Sequence, residues 1–230
     1  GLAGGWHYKE DAHLRSDLLM TGLKKNLLDK GVRILENHAL TGLKEIEGGV
    51  AAQTSEGEVK GKSLVLATGA LTPKLAKIVG WRAPIEPGKG YSLTMKRPGI
   101  CPDVPLIFPE TRVAVTPFAD GYRLGSTMEF SGYDDSIHPK RLNLLRSGVE
   151  DYLKEPYAEP VTNTWYGWRP MTYDSLPIIG PCPGNPKITL ATGHNMLGLS
   201  LAPATGKLVA ELLTGQDSHI EVGPYSPDRF

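Results

Sequence analysis

Apolar residues in the first third of the chain change from helical to extended spacing. Leucines recur every three or four positions over residues 14–28, and Gly31 follows them, so this pattern predicts an amphipathic helix with a glycine stop. Shorter apolar or alternating runs predict strands, at residues 32–36, 40–47, 50–54 and 63–67. The last of these strands leads through Thr68 and Gly69 into a helix predicted at residues 71–79. Such a strand, turn and helix form one step of a nucleotide-binding sheet.

Prolines and glycines punctuate the middle of the chain, and the segments between them alternate between apolar and polar residues. This pattern predicts an antiparallel sheet, with strands at residues 91–96, 104–108, 112–116 and 122–128. An amphipathic helix is predicted at residues 142–153 and a further strand at 161–168. The end of the chain predicts a short apolar strand, a glycine-rich turn at residues 191–198, and a helix from near Pro203 to just before Gly215. The predicted fold class is therefore mixed α/β (α+β).

Composition narrows the classes of partner. The 230 residues include 25 basic and 25 acidic side chains, so the formal net charge is zero. A balanced charge gives no general reason to expect nucleic acid as a partner, and none is predicted. Apolar runs of about five residues are far too short to span a bilayer. The two cysteines, Cys101 and Cys182, lack metal-ligand spacing and are too few for a disulfide framework, so no metal site is predicted.

Arg169 is the first candidate for chemistry, because it lies among aromatic residues in the run Gly167-Trp168-Arg169-Pro170. A guanidinium presents a fixed fork of donors that matches a carboxylate, and it stays charged at any working pH. An isolated arginine is more often a surface ion-pair residue. From the residue type alone, both interpretations stay open.

Two glycine-rich turns are the second candidate. Backbone N–H groups at the start of a helix have no internal partner, so a turn that opens a helix binds anions and polar acceptors. Residues 193–198 precede the last predicted helix, and Thr68 and Gly69 follow the strand predicted at 63–67. Ligands of such sheets lie outside the carboxyl ends of the strands. We therefore expect both turns to border one cleft.

The end of the chain resembles the C-terminal signature of the FAD-dependent D-amino acid oxidase superfamily. The matching motifs are Gly167-Trp168-Arg169-Pro170, Asp174-Ser175-Leu176-Pro177, Thr192-Gly193-His194, Gly198 and Ala202-Pro203-Ala204-Thr205-Gly206. Residues 113–118 and 123–133 are most similar to bacterial D-amino acid dehydrogenases. The resemblance implies FAD as the cofactor and a D-amino acid as the substrate. Hydride would pass from the α-carbon to flavin N5, and the imine would hydrolyse to a 2-oxo acid and ammonia.

The resemblance also implies the contacts with substrate and cofactor, without a certain catalytic acid or base. Arg169 would bind the substrate carboxylate, with Tyr91 and Met196 beside the substrate; a purely structural role suits Tyr91 equally well. Met196 stands where glycine-oxidase-like members carry a second arginine, so substrate anchoring from that side is weaker here or comes from elsewhere. The implied cofactor contacts are Leu40, Ala67, Thr68, Gly69, His194, Asn195, Met196, Leu197, Gly198, Leu199 and Ser200. Ordinary core packing is the alternative for Leu40.

The superfamily layout implies a division of the chain. Residues 1–84 are expected in an FAD-binding Rossmann-like domain, with the first residues assigned either to it or to the substrate domain. An inserted antiparallel substrate-binding sheet is expected at 85–165, a return to the FAD domain at 166–215 and a tail at 216–230. The Gly-x-Gly-x-x-Gly segment that holds the FAD pyrophosphate is absent from this sequence. We therefore expect the C-terminal portion of a longer polypeptide, which binds FAD weakly on its own.

Two alternatives to a D-amino acid dehydrogenase stay open. One is a glycine- or sarcosine-type amine oxidase that uses oxygen, and the other is a non-catalytic fragment without FAD. The resemblance to dehydrogenases implies a quinone or respiratory carrier as electron acceptor. A cytoplasmic location is expected, with peripheral association at the inner face of the cell membrane left open.

Overall fold

The computed structural model describes residues 3–230, so the first two residues of the segment predicted at 1–84 lie outside the described residues. The helices are α1 (Ser16–Asp29), α2 (Ala76–Val79), α3 (Pro139–Glu150) and α4 (Gly198–Thr214). The strands are β1 (Leu40–Ile46), β2 (Gly49–Thr54), β3 (Gly57–Gly61), β4 (Leu64–Leu66), β5 (Glu86–Met95), β6 (Leu106–Phe108), β7 (Val113–Pro117), β8 (Tyr122–Glu129), β9 (Val161–Met171), β10 (Ile178–Cys182) and β11 (Asn185–Thr192). Short 3-10 helices lie at Gly69–Leu75, Gly223–Tyr225 and Pro227–Arg229.

The chain divides into two compact units. The first, here called the sheet unit, comprises Gly1–Leu35, Gly90–Glu129 and Asp134–Gly167. Its five-stranded sheet has the order β6-β7-β8-β5-β9, and β6, β7 and β8 pair antiparallel, as the alternating pattern predicts. Helix α3 packs against β7 and β8. The core of this unit consists of Tyr91, Leu93, Met95, Phe108, Val113, Val115, Tyr122, Leu124, Leu145 and Val149.

Helix α1 forms where the leucine pattern predicts it, but its apolar side chains are exposed. None of its residues is buried, and Leu18 exposes 62 % of its surface. The strand predicted at residues 32–36 is wrong. The Val32 amide donates to Leu27 O (3.0 Å), closing the end of α1, and no strand of the described part of the chain pairs with this segment. A strand needs a neighbouring strand to satisfy its backbone, and a local apolar pattern does not reveal that neighbour.

The second unit, here called the turn unit, comprises Glu36–Lys89, Phe130–Tyr133 and Trp168–Phe230. It contains two three-stranded sheets. In one, β1, β2 and β3 pair antiparallel in sequence order; in the other the order is β10-β11-β4, and β4 runs parallel to β11. Helix α4 packs against β10 and β11. The core of this unit consists of Leu66, Val79, Ala83, Ile85, Ile178, Cys182, Ile188 and Leu190.

The sequence pattern does not predict strands β3 and β10. Every residue of β3 is exposed, so this strand lacks the apolar alternation by which strands are recognised. Pro177 and Pro181 flank or interrupt β10, and their presence favours a loop at the level of sequence. Both strands form because a partner strand in the turn unit takes up their backbone hydrogen bonds.

Two helices differ from their predicted form. The helix predicted at residues 71–79 is a 3-10 helix, Gly69–Leu75, followed by the single turn α2. Helix α4 begins at Gly198, so the start predicted near Pro203 is wrong, and Pro203 lies inside the helix. Among the described residues, no helix combines the length and the apolar character needed to cross a membrane.

Candidate functional site

Strands β4 and β11 are parallel neighbours in the turn unit, so their carboxyl ends lie side by side. The register pairs Leu66 with Leu190. Beyond this pair, the hydroxyl oxygen of Thr192 lies 3.1 Å from the carbonyl oxygen of Gly69 and 2.9 Å from the hydroxyl oxygen of Thr72. The two glycine-rich turns therefore begin at the same end of one sheet, and the cleft that both turns are expected to border stays a prediction.

The turn after β11 has a backbone that few residue types allow. Gly193 has φ +74°, and a Cβ at this position would lie 2.8 Å from Cγ2 of Thr172. Asn195 also has a positive φ, of 52°. Its side-chain oxygen accepts a hydrogen bond from the Thr172 amide (3.0 Å), and its side-chain nitrogen donates to the Thr172 hydroxyl (3.0 Å) and to Gly193 O (2.9 Å). The Asn195 side chain thus fixes the turn to the segment that follows β9.

Helix α4 begins directly after this turn, with Leu197 as its N-cap residue. No described side chain caps this end, so the N–H groups of the first turn lack a side-chain acceptor. The positive end of the dipole of a 17-residue helix also lies here. Met196, Leu197 and Leu199 expose 65, 57 and 51 % of their surfaces. Backbone donors flanked by exposed apolar side chains suit a flat apolar ring that carries electronegative oxygens.

Arg169 lies on β9, beside the segment that contacts the turn. The amide of Asn195 donates to Pro170 O (3.1 Å), which ties this end of β9 to the turn. The Arg169 side chain is half-buried, and burial lowers its pKa, yet a guanidinium remains protonated at working pH. Because side chains alternate along a strand, Arg169 and Met171 lie on the same face of β9. A cationic fork therefore projects from a strand that is anchored to the turn.

A cavity of about 500 Å³ adjoins this strand within the turn unit. Met171 and Tyr173 contribute to its wall together with Arg82, Glu86 and Phe130. The cavity lining combines apolar and charged groups: two aromatic rings, a thioether, one positively charged side chain and one negatively charged side chain. Met171, which lines this cavity, lies on β9 two residues after Arg169.

His194 is the histidine of the turn. Its Nε2 lies 2.9 Å from the hydroxyl oxygen of Thr205 on α4. Burial lowers its pKa below the ordinary value, so the ring is neutral near pH 7. A neutral ring that is hydrogen-bonded to the helix suits a residue that orients its loop.

Comparison with known proteins establishes the family. Residues 1–212 match the family described as FAD dependent oxidoreductase. The chain belongs to this family. It is 34 % identical over 221 residues to a glycine oxidase of Pseudomonas putida, covering 94 % of this chain and 60 % of the relative. It is 30 % identical over 223 residues to a D-amino acid dehydrogenase of Granulibacter bethesdensis, covering 96 % of this chain and 53 % of the relative.

Solved structures show the same fold. A glycine oxidase from Geobacillus kaustophilus superposes with a TM-score of 0.85 at 23 % identity, covering 92 % of this chain and 57 % of that one. An L-proline dehydrogenase from P. horikoshii gives a TM-score of 0.77 at 24 % identity, covering 92 % and 59 %. The mixed α/β fold of an FAD-dependent oxidoreductase, inferred from the motifs, is confirmed. The chain spans between half and two thirds of these relatives.

The turn unit fits the FAD that this family uses. The first turn of α4 offers backbone donors, and Gly193 keeps the turn close against Thr172 because no Cβ fits between them. Gly69, with φ +53°, opens the second turn at the same sheet end. Ala67, Thr68, Gly198 and Ser200 are exposed near these two turns, where a cofactor can reach them. Residues 67–69 and 194–200, which the sequence assigns to FAD, thus lie at two turns that begin at the same end of one sheet.

Leu40 and Tyr91 have structural environments. Leu40 is half-buried and packs against the core of the turn unit. Tyr91 belongs to the sheet unit and is 2 % exposed. Its hydroxyl donates to a carboxylate oxygen of Glu129 (2.5 Å), and Nε of Arg141 donates to the other oxygen (2.7 Å). These contacts favour the structural alternative for Tyr91, and the core-packing alternative for Leu40.

Sequence reasoning missed an aromatic cluster around Trp168, the residue that precedes Arg169 on β9. Tyr133 and Trp168 meet edge to face with ring centres 5.6 Å apart, and the Tyr133 hydroxyl donates to Ala70 O (2.7 Å). The ammonium of Lys74 lies 4.1 Å from the centre of the Tyr133 ring. The only sequence signal was the aromatic context of Trp168, because the residues that meet here are distant along the chain.

Proposed function

We propose that the protein carrying this chain is an FAD-dependent amino acid oxidoreductase, and that its substrate is a D-amino acid. The observation that carries this proposal is the position of Arg169, half-buried on β9 and tied through Pro170 and Asn195 to the turn that opens α4. A carboxylate bound by Arg169 would place the α-carbon near the exposed apolar side chains of that turn. The D-amino acid dehydrogenase relative supports this substrate class.

The residues of the turn unit divide the work of such a reaction. Arg169 binds the substrate carboxylate and fixes the orientation of the α-carbon. The uncapped N-terminus of α4 stabilises negative charge at its ligand. When bound, FAD supplies the acceptor for the hydride that leaves the substrate α-carbon. The amino acid becomes an imine, and water hydrolyses the imine to a 2-oxo acid and ammonia.

His194 holds its loop in this scheme and moves no proton. Its lowered pKa keeps the ring neutral, and its Nε2 is engaged with Thr205. A substrate that arrives with a neutral amine needs no protein base for hydride loss. The scheme therefore assigns no residue as a general acid or base.

The second candidate is an oxygen-using glycine- or sarcosine-type oxidase. The glycine oxidase relative is 34 % identical, so this candidate has equal standing by similarity. Met196 argues against it, because the resemblance implies a second arginine at this position in glycine-oxidase-like members. An exposed thioether supplies no charge for a carboxylate. A quinone or respiratory carrier as electron acceptor, and a peripheral position at the membrane, belong to the first candidate.

One experiment separates the candidates. The flavin-loaded protein is mixed anaerobically with D-alanine, glycine or sarcosine, and bleaching of the flavin absorbance is followed. The reduced protein is then exposed to oxygen or to a soluble quinone analogue. Fast reduction by D-alanine and faster reoxidation by the quinone support the dehydrogenase; reduction by glycine or sarcosine with fast reoxidation by oxygen supports the oxidase. No reduction by any amine contradicts both.

A further inference from the structure

Residues 226–230 contact the loop that connects β9 to β10. Nε of Arg229 donates to Oδ2 of Asp174 (2.7 Å), and Nη2 donates to Oδ1 (3.3 Å) and to Leu176 O (2.9 Å). The two charged side chains are 15 and 22 % exposed, so solvent screens this pair less than a surface ion pair. The Arg229 guanidinium holds the pKa of Asp174 below its usual value, so the carboxylate stays charged.

The segment is seated by more than this ion pair. The ring of Phe230 meets the ring of Tyr173 edge to face, with centres 5.2 Å apart, and the Arg229 guanidinium lies 4.2 Å from the centre of the Phe230 ring. Pro227 is buried against Gly180 of β10, where an added Cβ would lie 3.0 Å from Cδ of Pro227. Together these contacts hold one side of the loop.

The other side of the loop is held by the turn of the candidate site. Asn195 accepts a hydrogen bond from the amide of Thr172, and the Thr172 hydroxyl donates to Leu176 O (2.9 Å). Oδ1 of Asp174 accepts from the Leu176 amide (3.1 Å). Leu176 O thus receives hydrogen bonds from Thr172 on one side and Arg229 on the other. The loop bridges the turn and the 226–230 segment, and its Tyr173 lines the cavity.

We propose that Arg229 is a positioning residue for substrate binding: it fixes the loop at 172–176 so that Tyr173 and, through β9, Arg169 keep their binding geometry. This inference rests on the proposed carboxylate role of Arg169. Arg229 itself belongs to the loop's support and touches no reacting atom. Loss of its two-point contact should therefore weaken substrate binding more than turnover.

The test compares Arg229→Gln and Arg229→Lys in the flavin-loaded protein. Hydrogen exchange of the Leu176 amide, which needs no activity, measures how firmly the loop is held. We expect Arg229→Gln to exchange faster at this amide and to raise KM for D-alanine by about threefold to tenfold, with kcat changed less than about twofold. Arg229→Lys should recover part of both losses, because it keeps the charge and loses the fork.

Arg15→Gln is the matched control. Arg15 also donates to carboxylates, those of Asp17 and Asp120, but in the sheet unit, so its loss should change neither the exchange at Leu176 nor KM. An unchanged exchange rate at the Leu176 amide in Arg229→Gln would overturn the inference. Faster exchange with an unchanged KM would also overturn it, because the contact would then support the loop without affecting substrate binding. If Arg229→Gln does not fold, Arg229→Lys carries both measurements. An unchanged KM in Arg169→Leu would instead refute the carboxylate role, while the exchange result would still report on the loop.

Discussion

The hydroxyl oxygens of Thr72 and Thr192 lie 2.9 Å apart, although 120 residues separate them in sequence. Thr72 belongs to the 3-10 helix after β4, and Thr192 is the last residue of β11. Both hydroxyls also lie within 3.1 Å of Gly69 O. This buried contact links the 3-10 helix after β4 to the end of β11, where the second glycine-rich turn begins.

Thr192→Val should destabilise the protein by about 1–3 kcal/mol, because valine keeps the shape and removes the hydroxyl, leaving buried polar groups with fewer partners. Urea unfolding measures the change through the midpoint. The control is Thr41→Val, whose exposed hydroxyl donates to Gln53 O (3.2 Å) at the protein surface and whose loss should cost less than about 0.5 kcal/mol. Equal changes in the free energy of unfolding for the two variants would show that the buried contact stabilises the protein no more than an exposed hydrogen bond does.

Gly193→Ala should cost at least about 1–2 kcal/mol, because its positive φ disfavours any side chain and the new Cβ would lie 2.8 Å from Thr172. FAD affinity should fall as well, since the turn must shift to make room. Gly206→Ala is the control: its Cβ would meet nothing within 4 Å inside α4, so the substitution should be neutral or stabilising by up to about 1 kcal/mol. Urea unfolding midpoints measure the change in stability, and flavin fluorescence titrations measure the change in FAD affinity. A Gly193→Ala protein with the stability and FAD affinity of wild type would contradict the assigned geometry.

Arg169→Leu should lower kcat/KM for D-alanine by about tenfold to a hundredfold or more, because it removes a charge-assisted pair of roughly 1.5–3 kcal/mol. Arg169→Lys should recover only part of this, since an ammonium lacks the fork. Flavin content should stay unchanged, which absorbance spectra check. The exposed Arg33 supplies the control variant, Arg33→Leu. If Arg169→Leu loses FAD, or if it keeps the turnover of wild type, the carboxylate role is wrong. Arg169 would then be a structural ion-pair residue.

Stability should fall as the pH drops below the ordinary histidine pKa of 6.5, because the folded state lowers the pKa of His194. In that range the unfolded chain binds more protons than the folded one, so the free energy of unfolding rises with pH, by at most about 1.4 kcal/mol per pH unit for one group. His194→Gln should reduce this slope between pH 5 and pH 7, as measured by urea unfolding. His7→Gln, at an exposed histidine, is the control. A slope identical in wild type and His194→Gln would mean that His194 is not protected from protonation.

The sequence alone determined the family, the fold class and the candidate substrate arginine. Arg169 and Gly193 lie within contiguous motifs. Such motifs can be recognised from the sequence because their chemistry depends on residues that are close in sequence. The strands of the sheet unit could also be predicted from the sequence. In β7, for example, apolar and polar residues alternate because only one face of the strand is buried. The absence of charge bias likewise needed no structure.

The tertiary structure decided everything that depends on a partner distant in sequence. Residues 32–36 have the composition of a strand and form none, whereas the exposed β3 forms because β2 pairs with it. The Thr72–Thr192 and Arg229–Asp174 contacts join segments whose separation along the chain leaves no local signal. The sequence left a substrate role and a structural role open for Tyr91, and its buried contact with Glu129 favours the structural role. The local sequence pattern indicates which secondary structure a segment prefers. Its hydrogen-bond partners and its burial depend on the segments that pack against it in the folded protein.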